Sequence, residues 1–376
     1  MVPRLIAPML AMLDGTRNAD ALCTGFLLRT GMQLQSSQVE TFLNSLDDAF
    51  LLDNQRFQEA LAQLLDHYRS GPFRASSLAG GAYPSNGDEL REALDDYCSN
   101  ANTDGRGQAL SDGNRPSGRI AGLLSPHIDY NRGWRTYAET WQLARPAVED
   151  ADLVIVLGTD HSGSPGKLTL TRQNYATPWG QLPTDTSLVD GLVEILGEED
   201  AFQEEVHHIG EHSVELASIW MHYFAGDKPK RLLPILCGVD ENLVENGVGS
   251  NRALQEALSF LAKVVAQQKT LVVAAGDLSH VGPAFSDSLP LDLAGKARVR
   301  AIDEEWLEAA CTGSSQLLAD HMRSQGDTTR ICGASPIHYM LDILPETRGE
   351  VVAYDQCPAD EQFGSLVSIA GVLFIE

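Results

Sequence analysis

From Arg119 to the end of the chain, short unbroken apolar runs alternate with longer stretches of helical periodicity. The runs are Ile120–Leu124, Leu153–Leu157, Leu232–Leu236, Leu271–Ala275 and Ser368–Ile375. An apolar run without polar alternation suits a strand whose two faces are both covered. Between the runs, apolar residues recur every three or four positions in Trp134–Ala147, Leu188–Leu196, Val214–Phe224 and Leu254–Gln267, the spacing of one helix face. Strands that alternate with helices predict an α/β fold of three layers, with helices on both sides of a largely parallel sheet.

Three of these runs end alike. Ile120–Leu124 leads into Ser125-Pro126-His127-Ile128-Asp129-Tyr130, Leu153–Leu157 into Gly158-Thr159-Asp160-His161-Ser162-Gly163, and Leu271–Ala275 into Gly276-Asp277-Leu278-Ser279-His280. Each places a histidine, with an aspartate nearby, just past the carboxyl end of a strand. That edge is where open α/β sheets bind ligands. Three of ten histidines at equivalent ends point to one shared site. Neutral imidazole is the commonest ligand for transition metals, and Asp129, Asp160 and Asp277 are placed to fix ring tautomers behind it.

Two further segments carry chemistry. Gly210-Glu211-His212-Ser213-Val214-Glu215 opens a helix, so Glu211 and His212 either face the site or cap that helix. His207 and His208, in an acidic stretch just before it, read as solvent-exposed. Cys332 precedes a helix starting near Pro336, where the helix dipole favours a thiolate and suits a nucleophile or a soft metal ligand. The other five cysteines, Cys23, Cys98, Cys237, Cys311 and Cys357, read as buried apolar thiols. Scattered without a CxxC pair, the six imply a reduced, cytoplasmic protein rather than a disulfide framework.

The first 70 residues differ in texture. Helices are expected around Ala21–Leu28, Val39–Leu46 and Asp53–Tyr68, with Asn18 or Asp20 capping the first and a Ser37/Glu40 capping box opening the second. Residues 71–82 are rich in Gly and Ser and read as a linker to an α/β domain over 83–376. An amphipathic helix follows at Asp88–Cys98, then an exposed loop over Ser99–Gly118. The chain of 376 residues carries 27 Lys+Arg against 52 Asp+Glu, a net charge of −25. That excess opposes binding to nucleic acid or to an anionic membrane surface. No apolar run reaches the length a membrane helix needs.

The ordered set AGGAYP (79–84), SPHIDY (125–130), LGTDHSG (157–163), TPWGQLPTD (177–185), GEHSVE (210–215), LPILCG (233–238), GDLSH (276–280) and ICGASPI (331–337) resembles the MEMO family, called AmmeMemoRadiSam system protein B in bacteria. The likeness runs from about residue 78 to the end. Residues 1–70, with MLDGTRN at 12–18, resemble small PqqD-like, winged-helix modules. The resemblance implies a fold like that of class III extradiol dioxygenases and a single metal-binding cleft. It places the metal on His127, His161 and Cys332, the acid/base on His280 and its partner on Asp277. Asp129, Asp160, Glu211, His212 and Trp179 then stand behind the metal or around the substrate. A cysteine in place of the third, carboxylate ligand departs from the facial triad of oxygen-activating iron, and favours Fe or Cu with Zn as a further option. The implied chemistry is redox, on a small molecule or peptide, beside radical SAM and AMMECR-like proteins. A non-catalytic peptide- or metal-binding module and a zinc-type hydrolase are the other readings of the same residues.

Overall fold

The computed structural model describes residues 6–103, 118–226, 228, 230–239, 251–326 and 328–376. The chain divides into two compact units, Met1–His67 and Tyr68–Glu376. The first holds helices α1 (Ala7–Leu10), α2 (Ala19–Thr30), α3 (Ser36–Asp48) and most of α4 (Gln55–Ser70), and α1–α3 with their connections enclose a small core of Met9, Met12, Leu22, Phe26 and Val39. Asn18 caps α2, accepting from Ala21 N at 2.9 Å. The start of α3 differs from expectation: the helix begins two residues earlier, with Gln35 at its cap, and Gln38 Oε1 accepts from Gln35 N in place of a Ser37/Glu40 box.

The second unit is the expected mixed α/β fold. Its helices are α5 (Gly87–Thr103), α6 (Tyr130–Asp150), α7 (Thr186–Leu196), α8 (Glu198–Phe202), α9 (Ser213–Ala225), α10 (Arg252–Gln267), α11 (Leu293–Cys311), α12 (Ser315–Gln325) and α13 (Ala334–Ile343). Its strands are β1 (Ile120–Ser125), β2 (Leu153–Asp160), β3 (Leu168–Leu170), β4 (Tyr175–Thr177), β5 (Gly180–Leu182), β6 (Arg231–Gly238), β7 (Thr270–Ala275), β8 (His280–Val281), β9 (Arg348–Pro358) and β10 (Leu366–Ile375). Residues 99–103, expected in a loop, continue α5, and the rest of that loop, 104–117, lies outside the described residues.

The main sheet has the order β3-β6-β2-β7-β1-β10-β8, with β9 on the other edge of β10. The four central strands, β6, β2, β7 and β1, are mutually parallel. Both flanks are antiparallel, because the chain between β9 and β10, or between β2 and β3, is too short for a crossover. Alternation along β2 shows the layering. Leu153, Ile155 and Leu157 belong to one core with Val189 of α7, Leu258 of α10 and Ile337 of α13. Val154 and Val156 belong to the other, with Leu94 of α5, Trp141 of α6 and Trp220 of α9. Successive side chains go to opposite faces, so an unbroken apolar run feeds both layers, each buried Leu or Val contributing about 1.5–3 kcal/mol. No helix of the described residues is long and apolar enough to cross a membrane.

Candidate metal centre

Register assembles the site. Ser125 of β1 and Gly158 of β2 both pair with Ala275 of β7, so β1 and β7 end level and β2 runs two residues further, to Asp160. The chain beyond each end carries its histidine to one place: the His127 and His161 ring centroids lie 5.0 Å apart. His212, just before α9, joins them at 4.9 Å from each.

Cys332 arrives from the other side of the sheet, and two glycines let it in. A Cβ on Gly276 would sit 2.3 Å from Gly333 Cα, and one on Gly333 would sit 2.9 Å from Asp277 O. With both side chains absent, the backbones touch, and Gly333 N donates to Asp277 O at 3.0 Å. Thr159 Oγ1 donates to Cys332 O at 3.1 Å from the end of β2. Cys332 Sγ then rests 3.2 Å from His127 Nε2.

Hydrogen bonding sets the tautomer of each ring, because an acceptor-only oxygen beside Nδ1 requires a proton there. His127 Nδ1 faces Ala275 O at 3.2 Å, His161 Nδ1 faces Glu211 Oε2 at 3.0 Å, and His212 Nδ1 faces Glu211 Oε1 at 3.0 Å. His280 Nδ1 faces Leu278 O at 2.9 Å and Arg330 O at 3.1 Å. In the neutral rings, Nε2 is therefore the lone-pair nitrogen of all four. Metal-bound histidines are held in the same way, with the second nitrogen donating to a carboxylate or a carbonyl.

Electrostatics follow from burial and from Glu211. Burial, with His212 and His161 adding like charge, holds His127 well below 6.5 and keeps it neutral. Burial alone would lower His161 too, but the Glu211 carboxylate outweighs it and raises that ring. Burial would favour a protonated Glu211; hydrogen bonds from His161 and His212 instead hold it far below the usual carboxylate range. Asp277 is raised by burial, although its Oδ1 accepts from His127 N at 2.8 Å and Ile128 N at 3.3 Å. Burial, reinforced by Asp277, pushes the Cys332 thiol well above 9. The helix-dipole expectation for Cys332 is thus reversed: desolvation next to a carboxylate outweighs the start of α13. A deprotonated Cys332 needs a cation beside it, and among the described residues lining the cavity Arg132 is bound to Asp129.

The donor set suits an ion of that kind. Ligand atoms of His127, His161 and Cys332 lie within 4.8 Å of one another, a spread that one ion can bridge. His127 and His161 border a cavity of about 450 Å³ also lined by His212, His280 and Asp277. Its remaining surface is largely apolar, from Leu78, Ala82, Leu216, Ala284, Phe285, Ala359 and Val367. The Leu78–Ala82 wall belongs to the segment 71–82, which is anchored on Glu215. That buried carboxylate accepts from Ser77 N at 3.0 Å, Leu78 N at 2.9 Å, the Tyr83 hydroxyl and the buried Arg74 guanidinium.

Not every expected residue comes here. Asp160 is buried with Oδ2 on His207 Nδ1 at 2.9 Å, not behind His161. The period-2 alternation of a strand contained that signal, since adjacent residues 160 and 161 face opposite ways. Asp129 caps α6 and pairs with Arg132 at the cavity rim. Asp277 bonds the 127–128 backbone, and the His280 ring is fixed by carbonyls rather than by Asp277. Trp179 stands outside the cavity lining, donating to Gly87 O and packing on His222. His208 is fully buried between Tyr175 and Thr169 O, and His207 is half-buried, so neither is the exposed residue expected. Reading the sequence missed the apolar wall: Ala284-Phe285 lie in a single 3-10 turn and Ala359 in a loop, both too short for a periodic signal.

The chain matches the model of the family described as Memo-like protein over residues 74–373. It is 24% identical over 373 residues to a MEMO1 family protein of Aquifex aeolicus, covering 97% of this chain and 90% of that protein. A MEMO1 family protein of Thermus thermophilus is 27% identical over 332 residues, covering 87% and 90%. One from Methanosarcina barkeri is 25% identical over 305 residues, covering 79% of this chain but 97% of its own length. The first alignment thus reaches well into residues 1–73, while the archaeal protein is spanned by about the length of the α/β unit. On a family match that covers most of the molecule and every residue of the cleft, the chain belongs to the Memo-like protein family.

Proposed function

We propose that the cleft is a transition-metal centre performing redox chemistry on a small molecule with an apolar body. His127 and His161 through Nε2, and Cys332 through Sγ, would hold the metal. The observation that carries this reading is the convergence of these three donors within 4.8 Å, with ring protons directed away from them. A bound Fe or Cu would supply a one-electron couple that no side chain here has, and Zn would supply only a Lewis acid. Thiolate in the third position speaks against ring-cleaving oxygenation despite the dioxygenase-like likeness.

The protein's own groups do the rest. His280 takes or gives a proton at Nε2, its ring held by Leu278 O and Arg330 O with Phe285 edge-on at 5.1 Å. Leu78, Leu216, Phe285 and Val367 exclude water from the body of the ligand. In keeping with its resemblance to AmmeMemoRadiSam system protein B, the reaction would take place in the reducing cytoplasm and serve a radical-SAM-linked pathway.

The test is anaerobic purification with metal quantification beside the His127→Ala/His161→Ala variant. Wild type is expected to take up Fe or Cu, and the double variant to take up none. Wild type that retains no Fe, Cu or Zn under any loading condition sinks the proposal. In loaded protein, His280→Gln is expected to keep the metal while oxygen uptake with small aromatic reductants falls by about 10²-fold or more.

A further inference from the structure

Within the motif GEHSVE, Glu211 makes more contacts than a helix cap requires. Oε1 accepts from His212 N at 2.8 Å, Ser213 N at 3.1 Å and His212 Nδ1 at 3.0 Å. Oε2 accepts from His161 N at 3.2 Å and His161 Nδ1 at 3.0 Å. The carboxylate is nearly enclosed, at 8% exposure, while His161 is exposed and His212 half-buried, the two rings stacked at 14° and 4.9 Å apart. The His212 ring also packs edge-on against His127, 4.9 Å between centroids, and lines the cavity.

We infer that Glu211 is the positioning residue that sets His161 and His212 as a matched pair, each protonated on Nδ1 and each presenting Nε2. His161 then enters the metal's donor set already in its binding tautomer. His212 stands beside it as a hydrogen-bond acceptor for a donor group on the ligand, so the cleft selects molecules carrying an O–H or N–H next to their metal-seeking end. The geometry follows from valence alone: a carboxylate has no proton to give, so both rings must give one. The inference deepens the metal-centre reading and rests on it only for the role of His161.

The ring nitrogens can be read directly. Full-length metal-free protein, labelled with nitrogen-15 at histidine and held at mildly alkaline pH, is compared with Glu211→Gln by long-range proton–nitrogen correlation. Wild type should show His161 and His212 protonated on Nδ1. In Glu211→Gln, whose amide offers one acceptor and one donor, at least one of the two rings should lose that preference, while His127 and His280, held by carbonyls, keep theirs. A wild-type His161 or His212 protonated on Nε2 overturns the inference, a result that needs no variant to fold. Unchanged Nδ1 protonation of both rings in Glu211→Gln overturns it as well. Titration with Co(II) gives the second readout: Glu211→Gln should bind about 10–100-fold more weakly, with an altered visible absorption band. Unchanged Co(II) affinity and spectrum would contradict positioning of His161. Wild type that takes up no Co(II) yet shows both Nδ1 protons would sink the metal centre and leave the Glu211 bridge standing.

Discussion

Two clusters of histidine and acidic or thiol side chains stand on either side of the end of β2. In one, His127, His161 and Cys332 have ligand atoms within 4.8 Å; in the other, Asp160, Glu204 and His207 satisfy the same distance. Distance does not separate them, but protons do. The second cluster is closed on itself: Asp160 Oδ2 meets His207 Nδ1, Asp160 Oδ1 accepts from Ser162 N at 3.1 Å, and Glu204 accepts from Ser164 N and Oγ. The hydrogen bond to Asp160 raises the proton affinity of His207, and the contact staples the 160–164 loop to residues 204–207. In the first cluster the imidazole N–H groups donate to Ala275 O and Glu211, outside the three donors, and His127 Nε2 faces Cys332 Sγ. Residue types and spacing make a candidate; where the protons point decides what it can bind.

The largest expected contrast comes from emptying each cluster in turn. His127→Ala/His161→Ala should lower metal affinity by more than about 100-fold, beyond the loss that follows removal of a mere supporting group. Glu204→Gln/His207→Ala should leave it unchanged by isothermal titration. Equal losses would erase the distinction between the clusters. Next, Gly333→Ala places a Cβ 2.9 Å from Asp277 O and must move the Cys332 backbone. Metal affinity should drop by about tenfold or more while the far-ultraviolet circular dichroism is retained. Unaltered affinity would mean that the close approach of Gly276 and Gly333 does not position the thiol.

The converse holds for stability. His207→Ala leaves the buried Asp160 without its ring partner and should cost about 1–3 kcal/mol, a fall of a few degrees in Tm, with metal affinity intact. A Tm unchanged on scanning calorimetry would contradict the staple.

The smallest effect is a slope with pH. Burial holds His208 down at about 3 against an ordinary 6.5, and Glu215 lies below 4.5 in its nest of donors despite its burial. Both groups bind protons more readily when unfolded. Their stabilisation is complete above about 6.5 for His208 and above 4.5 for Glu215, and is lost as pH falls through the folded-state values. Tm should therefore decline from neutrality towards pH 4, and His208→Gln should flatten the part between pH 6 and 4. A slope that His208→Gln leaves untouched would contradict that assignment.

How much of this was legible in the sequence depends on the physics behind each part. Continuous apolar runs mark strands buried on both faces, so β1, β2, β6 and β7 could be read, and with them the histidines that leave their ends. β9, with mostly exposed or half-exposed residues over Arg348–Pro358, has no such run and was invisible. Cys332 was readable as chemistry, but not the sign of its environment, which depends on Asp277 and on desolvation. Glu211 was left between helix cap and site because its role depends on where two backbones bring His161 and His212. Asp160 was misplaced by treating sequence adjacency as spatial adjacency, although strand alternation turns it away from its neighbour.

The central claim is that soft and nitrogen donors of the first cluster hold one metal. Zinc-loaded protein examined by X-ray absorption at the zinc edge tests it most directly. The account predicts one sulfur at about 2.3 Å and two imidazole nitrogens at about 2.0–2.1 Å. A shell without sulfur, built from one imidazole and oxygens as Asp160, Glu204 and His207 would give, would contradict it.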